Sequence, residues 1–139
     1  MLNEDELYHF GVKGMKWGVR HARKRAQNRR DRDLELTSRR AKLDSGYAKY
    51  YRATAKKRKN MSDDDFAKMF DDRDLLKGRD GAHKSRLNAV KSYNDYADSY
   101  AKSAKKWAKA HKEIMNTPID AYVKDRKIGK KIINKMLNE

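Results

Sequence analysis

Arg20, Arg23, Lys24, Arg25, Arg29, Arg30 and Arg32 fall within thirteen residues, and six of these seven bases are arginine. Guanidinium groups engage phosphate bidentately and are less strongly hydrated than ammonium groups, so such a cluster can hold a polyanion. Arg39 and Arg40 extend it, and a second group, Lys56, Lys57, Arg58 and Lys59, closes the same stretch. These thirteen positions are the candidate nucleic-acid-binding residues. On a helix they point all round, which suits tracking of a phosphate backbone and not the reading of bases. The simpler alternative is a solvated helix in which Asp31, Asp33 and Glu35 supply some i,i+4 pairs. Against it, residues 19–60 carry 16 Lys and Arg and four acids, a net charge of +12, more than pairing within the helix can offset. The lysines between 102 and 112 extend the basic surface.

Other chemistry finds little support. The chain has no cysteine, which excludes a disulfide, a thiolate nucleophile and a Cys-based zinc site. His9, His21, His83 and His111 lack the i,i+4 spacing of two metal ligands on one helix. Asp63-Asp64-Asp65 and Asp71-Asp72 could be imagined as magnesium carboxylates, but helix capping and solvation account for the first triplet without a metal. There is no glycine-rich phosphate loop. The expectation is a protein that is not an enzyme, holds no metal or cofactor and takes no small-molecule substrate.

Charge is unevenly spread. The whole chain of 139 residues carries +16, with net charges of −1 over 1–18, +12 over 19–60, −3 over 61–81 and +8 over 82–139. Apolar residues make up 37% and charged residues 40%, against roughly 45–50% and about 25% in an average domain. So few apolar side chains cannot fill a thick core, and long helices sharing a narrow seam are the natural solution. No apolar run approaches the ~18–20 residues of a membrane span. The acidic opening Met1-Leu-Asn-Glu-Asp-Glu does not resemble a signal peptide. Cytosolic synthesis is expected, unless an assembly carries the protein out.

The elements that must position the basic residues follow from periodicity. A long helix is predicted over 19–59, its apolar face marked by Leu36, Leu43, Tyr47 and Tyr50 and its first half holding nothing to bury. Asp44-Ser45-Gly46 is a candidate interruption, since an interior Gly costs about 1 kcal/mol relative to Ala. A short helix is predicted over 62–77, with Ser62 as N-cap and Gly78 as its C′ stop. The clearest pattern lies in 83–116. Val90, Ala97, Ala104 and His111 recur every seven residues, and Tyr93, Tyr100, Trp107 and Ile114 do the same three residues further on. This is an a/d seam with Lys91, Asp95, Asp98, Lys102, Lys105, Lys109 and Lys112 on the opposite face. Aromatics at this spacing read as core more readily than as platforms for stacking bases. Thr117 as N-cap, Pro118 at N1 and Asp120 at the capping-box position start a last helix over 118–137. The fold expected is all-α: an elongated helical hairpin of two long antiparallel helices with a short connecting helix and a C-terminal helix. The seam is also open to pairing with a second copy as a homodimer.

Residues 1–18 stand apart from the single basic helical domain expected over 19–139. Gly11, Gly14 and Gly18 break up a segment in which Tyr8, Phe10 and Val12 alternate, followed by Met15 and Trp17. Aromatic and Met side chains are interface anchors. The segment therefore reads as a non-helical peptide that docks to a partner, or else as a flap folded on its own chain. Leu7-Tyr-His-Phe-Gly-Val-Lys-Gly-Met-Lys-Trp-Gly-Val-Arg20 resembles a short tag seen in tailed-phage and prophage proteins, where it recurs on otherwise dissimilar chains near head and structural genes. The resemblance covers residues 7–20 alone. It implies a shared docking partner, such as a phage head component.

Together these readings lead to an expected function as a virion or head-associated protein that binds nucleic acid without sequence preference, DNA ahead of RNA, in the virion or the host cytoplasm. The alternatives are an early phage inhibitor of a host defence or nucleic-acid enzyme, and a structural helical adaptor.

Overall fold

The computed structural model describes residues 14–70 and 78–139. Five α-helices follow one another: α1 (Gly14–Lys59), α2 (Asp63–Lys68), α3 (Gly78–Met115), α4 (Ile119–Lys124) and α5 (Ile128–Leu137). Among the described residues there is no strand, and the two long helices pack against each other, as the heptad pattern predicts. Two compact units divide the chain: one built from the residues up to Ala41 with Lys106–Glu139, the other from Lys42–Lys105. In each, partner numbers rise along α1 as they fall along α3, so the helices run antiparallel.

α1 departs from expectation in three ways. It begins at Gly14, not near Val19, so Gly14, Met15, Trp17 and Gly18 belong to a helix and not to a non-helical peptide. It also runs unbroken through Asp44-Ser45-Gly46. Gly46 is exposed with open space where a Cβ would sit, while Asp44 and Ala48 on either side are buried, and their contacts offset the helix-propensity cost. Finally, its buried face is made of Ala26, Thr37, Asp44, Ala48 and Ala55. Of the face predicted from the larger side chains, Leu36 is half-buried, while Leu43, Tyr47 and Tyr50 are exposed. Small residues bring two backbones close enough for a polar side chain to find its partner across the contact. Thr37 and Asp44 do so, against His111 and Ser103 respectively.

In the Lys42–Lys105 unit, Ser62 caps α2, its hydroxyl accepting from the Asp65 amide at 3.0 Å. The predicted helix over 62–77 is the six-residue α2, and residues 71–77 lie outside the described ones. Phe66 and Ala82 are buried together against Met61, Ala67 and Ala89. Asp63 fixes α2 to α3 by accepting from Arg86 Nε at 2.8 Å, with His83 Nδ1 at 3.1 Å. These partners, Arg86 above all, hold the Asp63 carboxyl below the usual carboxylate range. Arg86 also donates to the carbonyls of Arg58 (3.3 Å) and Lys59 (3.1 Å), closing the end of α1. Gly78, expected as a helix stop, instead opens α3.

In the other unit, Ala26, Trp107, Ala110, Ile114, Tyr122, Ile133 and Met136 form the core. The single helix expected over 118–137 is two. The backbone turns extended at Asp125 (φ −133°, ψ 106°), and its carboxylate accepts from the Lys127 amide at 2.9 Å and from Lys131 Nζ at 2.6 Å. Thr117 is not the N-cap: Pro118 occupies that position, and the Thr117 hydroxyl donates back to the Glu113 carbonyl at 2.7 Å. Asp120 pairs with Arg23. The break lets Gly129 lie against Asp33 and Tyr122, where a Cβ would sit 1.8 Å from Asp33 Oδ2.

Candidate nucleic-acid interface

The basic residues of α1 divide by what they touch. The first half of the helix is expected to bury nothing, yet Ala26 is fully buried there, and Arg23, Arg29 and Arg30 contact other elements, as does Arg40 further along. Arg23 pairs with Asp120. Arg29 Nη2 donates to the Tyr122 carbonyl at 2.8 Å, and its Nε is buried with no partner among the described residues. Arg30 donates to the carbonyls of Met115 (2.8 Å) and Thr117 (3.2 Å), which α3 leaves open at its end. Arg40 lies over the Trp107 ring, 5.3 Å from its centroid. The carbonyls explain the chemistry: a planar cation with five donors is the side chain best able to satisfy several carbonyl acceptors at once.

Arg23 and Arg40 are exposed as well as engaged, whereas a different set is exposed without such contacts. Lys24, Arg25, Arg32 and Arg39 are exposed, and among the described residues no ion pair joins them to Asp31 or Glu35, which are exposed too. Arg25, Arg32 and Arg39 are seven residues apart in turn. Seven residues are nearly two helical turns, so the three share one stripe at steps of about 10 Å along the axis. Each can meet a separate phosphate of one backbone. Arg20 is exposed, and with Trp17, His21 and Lys24 it lines a shallow recess near the start of α1. In the other unit, Lys56, Lys57 and Lys59 are exposed and Arg58 is half-buried. These four end α1, where positive charge also complements the helix dipole.

Of the predicted docking residues, Tyr8, Phe10, Gly11 and Val12 lie outside the described ones. Trp17 is half-buried within α1 with its ring 4.0 Å from that of His21, tilted by 47°. Along the seam, Ala97, Trp107 and Ile114 are buried, while Val90, Tyr93, Tyr100, Ala104 and His111 are half-buried. His111 Nδ1 lies 2.9 Å from the Thr37 hydroxyl and 3.1 Å from the Leu34 carbonyl. A carbonyl only accepts, so Nδ1 carries the proton. No group of His, Asp and Glu able to hold a metal is present among the described residues.

Sequence reasoning missed a cluster of tyrosines. Six of the eight meet in the Lys42–Lys105 unit, with Tyr51 at the hub. Its ring stacks on Tyr100 at 5.6 Å and on Tyr93 at 5.9 Å, and touches Tyr96 at 5.5 Å and Tyr50 at 5.3 Å, while Tyr47 lies 5.1 Å from Tyr100. Burial among these rings raises the Tyr51 hydroxyl pKa above its ordinary value. The available signal was Tyr50-Tyr51 on one helix facing Tyr93, Tyr96 and Tyr100 on the other, whose three- and four-residue steps mark one face.

Residues 3–24 match a family described as a family of unknown function (DUF7211). The match takes in the start of α1 and ends one residue before Arg25. No curated protein and no solved structure is similar to the chain.

Proposed function

We propose that this protein works by binding nucleic acid without sequence preference and docks to a partner through its N-terminal segment. The observation that carries the binding is the stripe of Arg25, Arg32 and Arg39, exposed and without carboxylate partners among the described residues, while neighbouring arginines are used by the fold. Guanidinium groups spaced along one face contact phosphates and leave base edges unread, so affinity comes from counterion release and falls with salt. The docking reading rests on residues 3–24, which form a segment shared with other proteins, and on its resemblance to the phage tag over 7–20. Association with a phage head, where packaged DNA lies close by, joins the two. The protein acts by contact and not by catalysis.

A mobility-shift series of the full chain with duplex DNA and with RNA, from low to high salt, tests the binding. The expected result is retardation of DNA at low salt that weakens steeply as salt rises. Absence of any shift at low salt would leave the helical adaptor as the better reading.

A further inference from the structure

The tyrosine cluster is a surface as well as a core. Tyr50 is 63% exposed, Tyr96 55% and Tyr47 42%. All three are anchored through the Tyr51–Tyr100 stack, whose planes lie within 10° of parallel, so the outward rings are held on a rigid base. Beside them opens a cavity of about 490 Å³ lined by Lys42, Leu43, Gly46, Tyr47, Tyr50 and Tyr51. Its size falls within the ~300–1,000 Å³ typical of ligand sites. Gly46, with nothing near its missing Cβ, leaves the floor of this groove open down to the α1 backbone.

Charge selects the occupant. Residues 42–59 hold seven Lys and Arg and one acid, Asp44, which is buried and accepts from Ser103, and residues 83–105 add five bases against Asp95 and Asp98, the latter paired with Arg52, so the excess stays positive. A second copy of this chain would bring the same positive face, and like charges oppose that pairing. An anionic partner with flat apolar faces satisfies both the rings and the lysines. Unpaired nucleotides have that chemistry: every base offers a π-face for stacking, whereas a duplex hides its base faces in its own stack. We propose that Tyr47, Tyr50 and Tyr96 stack the bases of single-stranded nucleic acid while Lys42 and its basic neighbours hold the backbone. This rests on the nucleic-acid reading above and narrows it to unpaired strands at this surface.

Fluorescence anisotropy of the full chain with labelled single-stranded and duplex DNA of equal length tests the proposal. The single strand should bind more tightly. Tyr50→Leu should lower single-strand affinity roughly tenfold, leave duplex affinity unchanged, and preserve helix content by circular dichroism, since Tyr50 projects into solvent. Tyr50→Phe, which keeps the ring, should bind like the wild type. An Arg25→Ala/Arg32→Ala/Arg39→Ala variant should weaken both DNAs. Unchanged single-strand binding by Tyr50→Leu would overturn the stacking proposal and leave the arginine reading standing; failure of the wild type to bind either DNA would remove both. A concentration-dependent dimer in sedimentation that Tyr50→Leu abolishes would assign the surface to a second copy and overturn the proposal.

Discussion

The guanidinium of Arg30 donates to the carbonyl of Met115 at 2.8 Å, the last residue of α3, while Arg32, two positions along α1, is exposed with no partner among the described residues. Bases two positions apart in one cluster therefore differ in what they touch. Arg30→Ala should destabilise the protein by about 2 kcal/mol, the scale of hydrogen bonds from a charged donor, with little effect on nucleic-acid affinity at temperatures where it remains folded. Arg32→Ala should do the reverse. Urea unfolding alongside DNA titration of both variants checks the pairing of effects.

Two glycines should respond to alanine with opposite sign. At Gly129 a Cβ would sit 1.8 Å from Asp33 Oδ2 and 2.7 Å from its Cγ, and that carboxylate is tied by the Tyr122 hydroxyl, which donates to it at 3.1 Å. Gly129→Ala should cost about 1–3 kcal/mol, as overpacking does. At Gly46 nothing lies within 4 Å. Gly46→Ala should stabilise the helix by about 0.5–1 kcal/mol. The urea midpoints of the two variants, on either side of the wild type, are the readout.

Acid should loosen the attachment of α2. Asp63 has its pKa lowered in the folded protein by Arg86 and His83. A carboxyl depressed on folding adds stability that is present above its unfolded pKa and lost as pH falls through the folded value. Asp63→Asn should therefore be less stable than the wild type near neutral pH. The difference should shrink as pH drops below the ordinary carboxylate range. Thermal melts of both proteins across that range measure it; a gap that is constant with pH would contradict the ion-pair account.

If the N-terminal segment docks as proposed and the basic face of α1 binds independently of it, removing residues 1–13 should separate the two functions. The truncated protein should keep its DNA affinity but fail to enter phage particles, as measured by its abundance in purified virions. Normal entry would overturn the docking role of this segment.

α3 was legible because its seam pairs large side chains with small ones at strict seven-residue steps, and Trp107 and Ile114 could only be buried. The inner face of α1 was not legible by the same rule. Thr37 and Asp44 are polar, and their burial depends on His111 and Ser103, 74 and 59 residues away in the chain. The large Leu43 and Tyr50 drew the periodicity towards a face that is exposed. Among the candidate site residues, the sequence shows a cluster of arginines but not the carbonyls of Met115, Thr117 and Tyr122 that claim two of them. The break at Asp125 was hidden for a related reason, because its side chain competes for the backbone only once the turn has formed.

The most direct test of the stripe as a phosphate-binding face is the salt dependence of duplex DNA affinity for the wild type and for Arg25→Ala/Arg32→Ala/Arg39→Ala. If three phosphate contacts are lost, the slope of log K against log salt should become shallower by about 3, from about 0.9 per phosphate, with melting temperature unchanged. An equal slope and equal affinity in the two proteins would contradict the account.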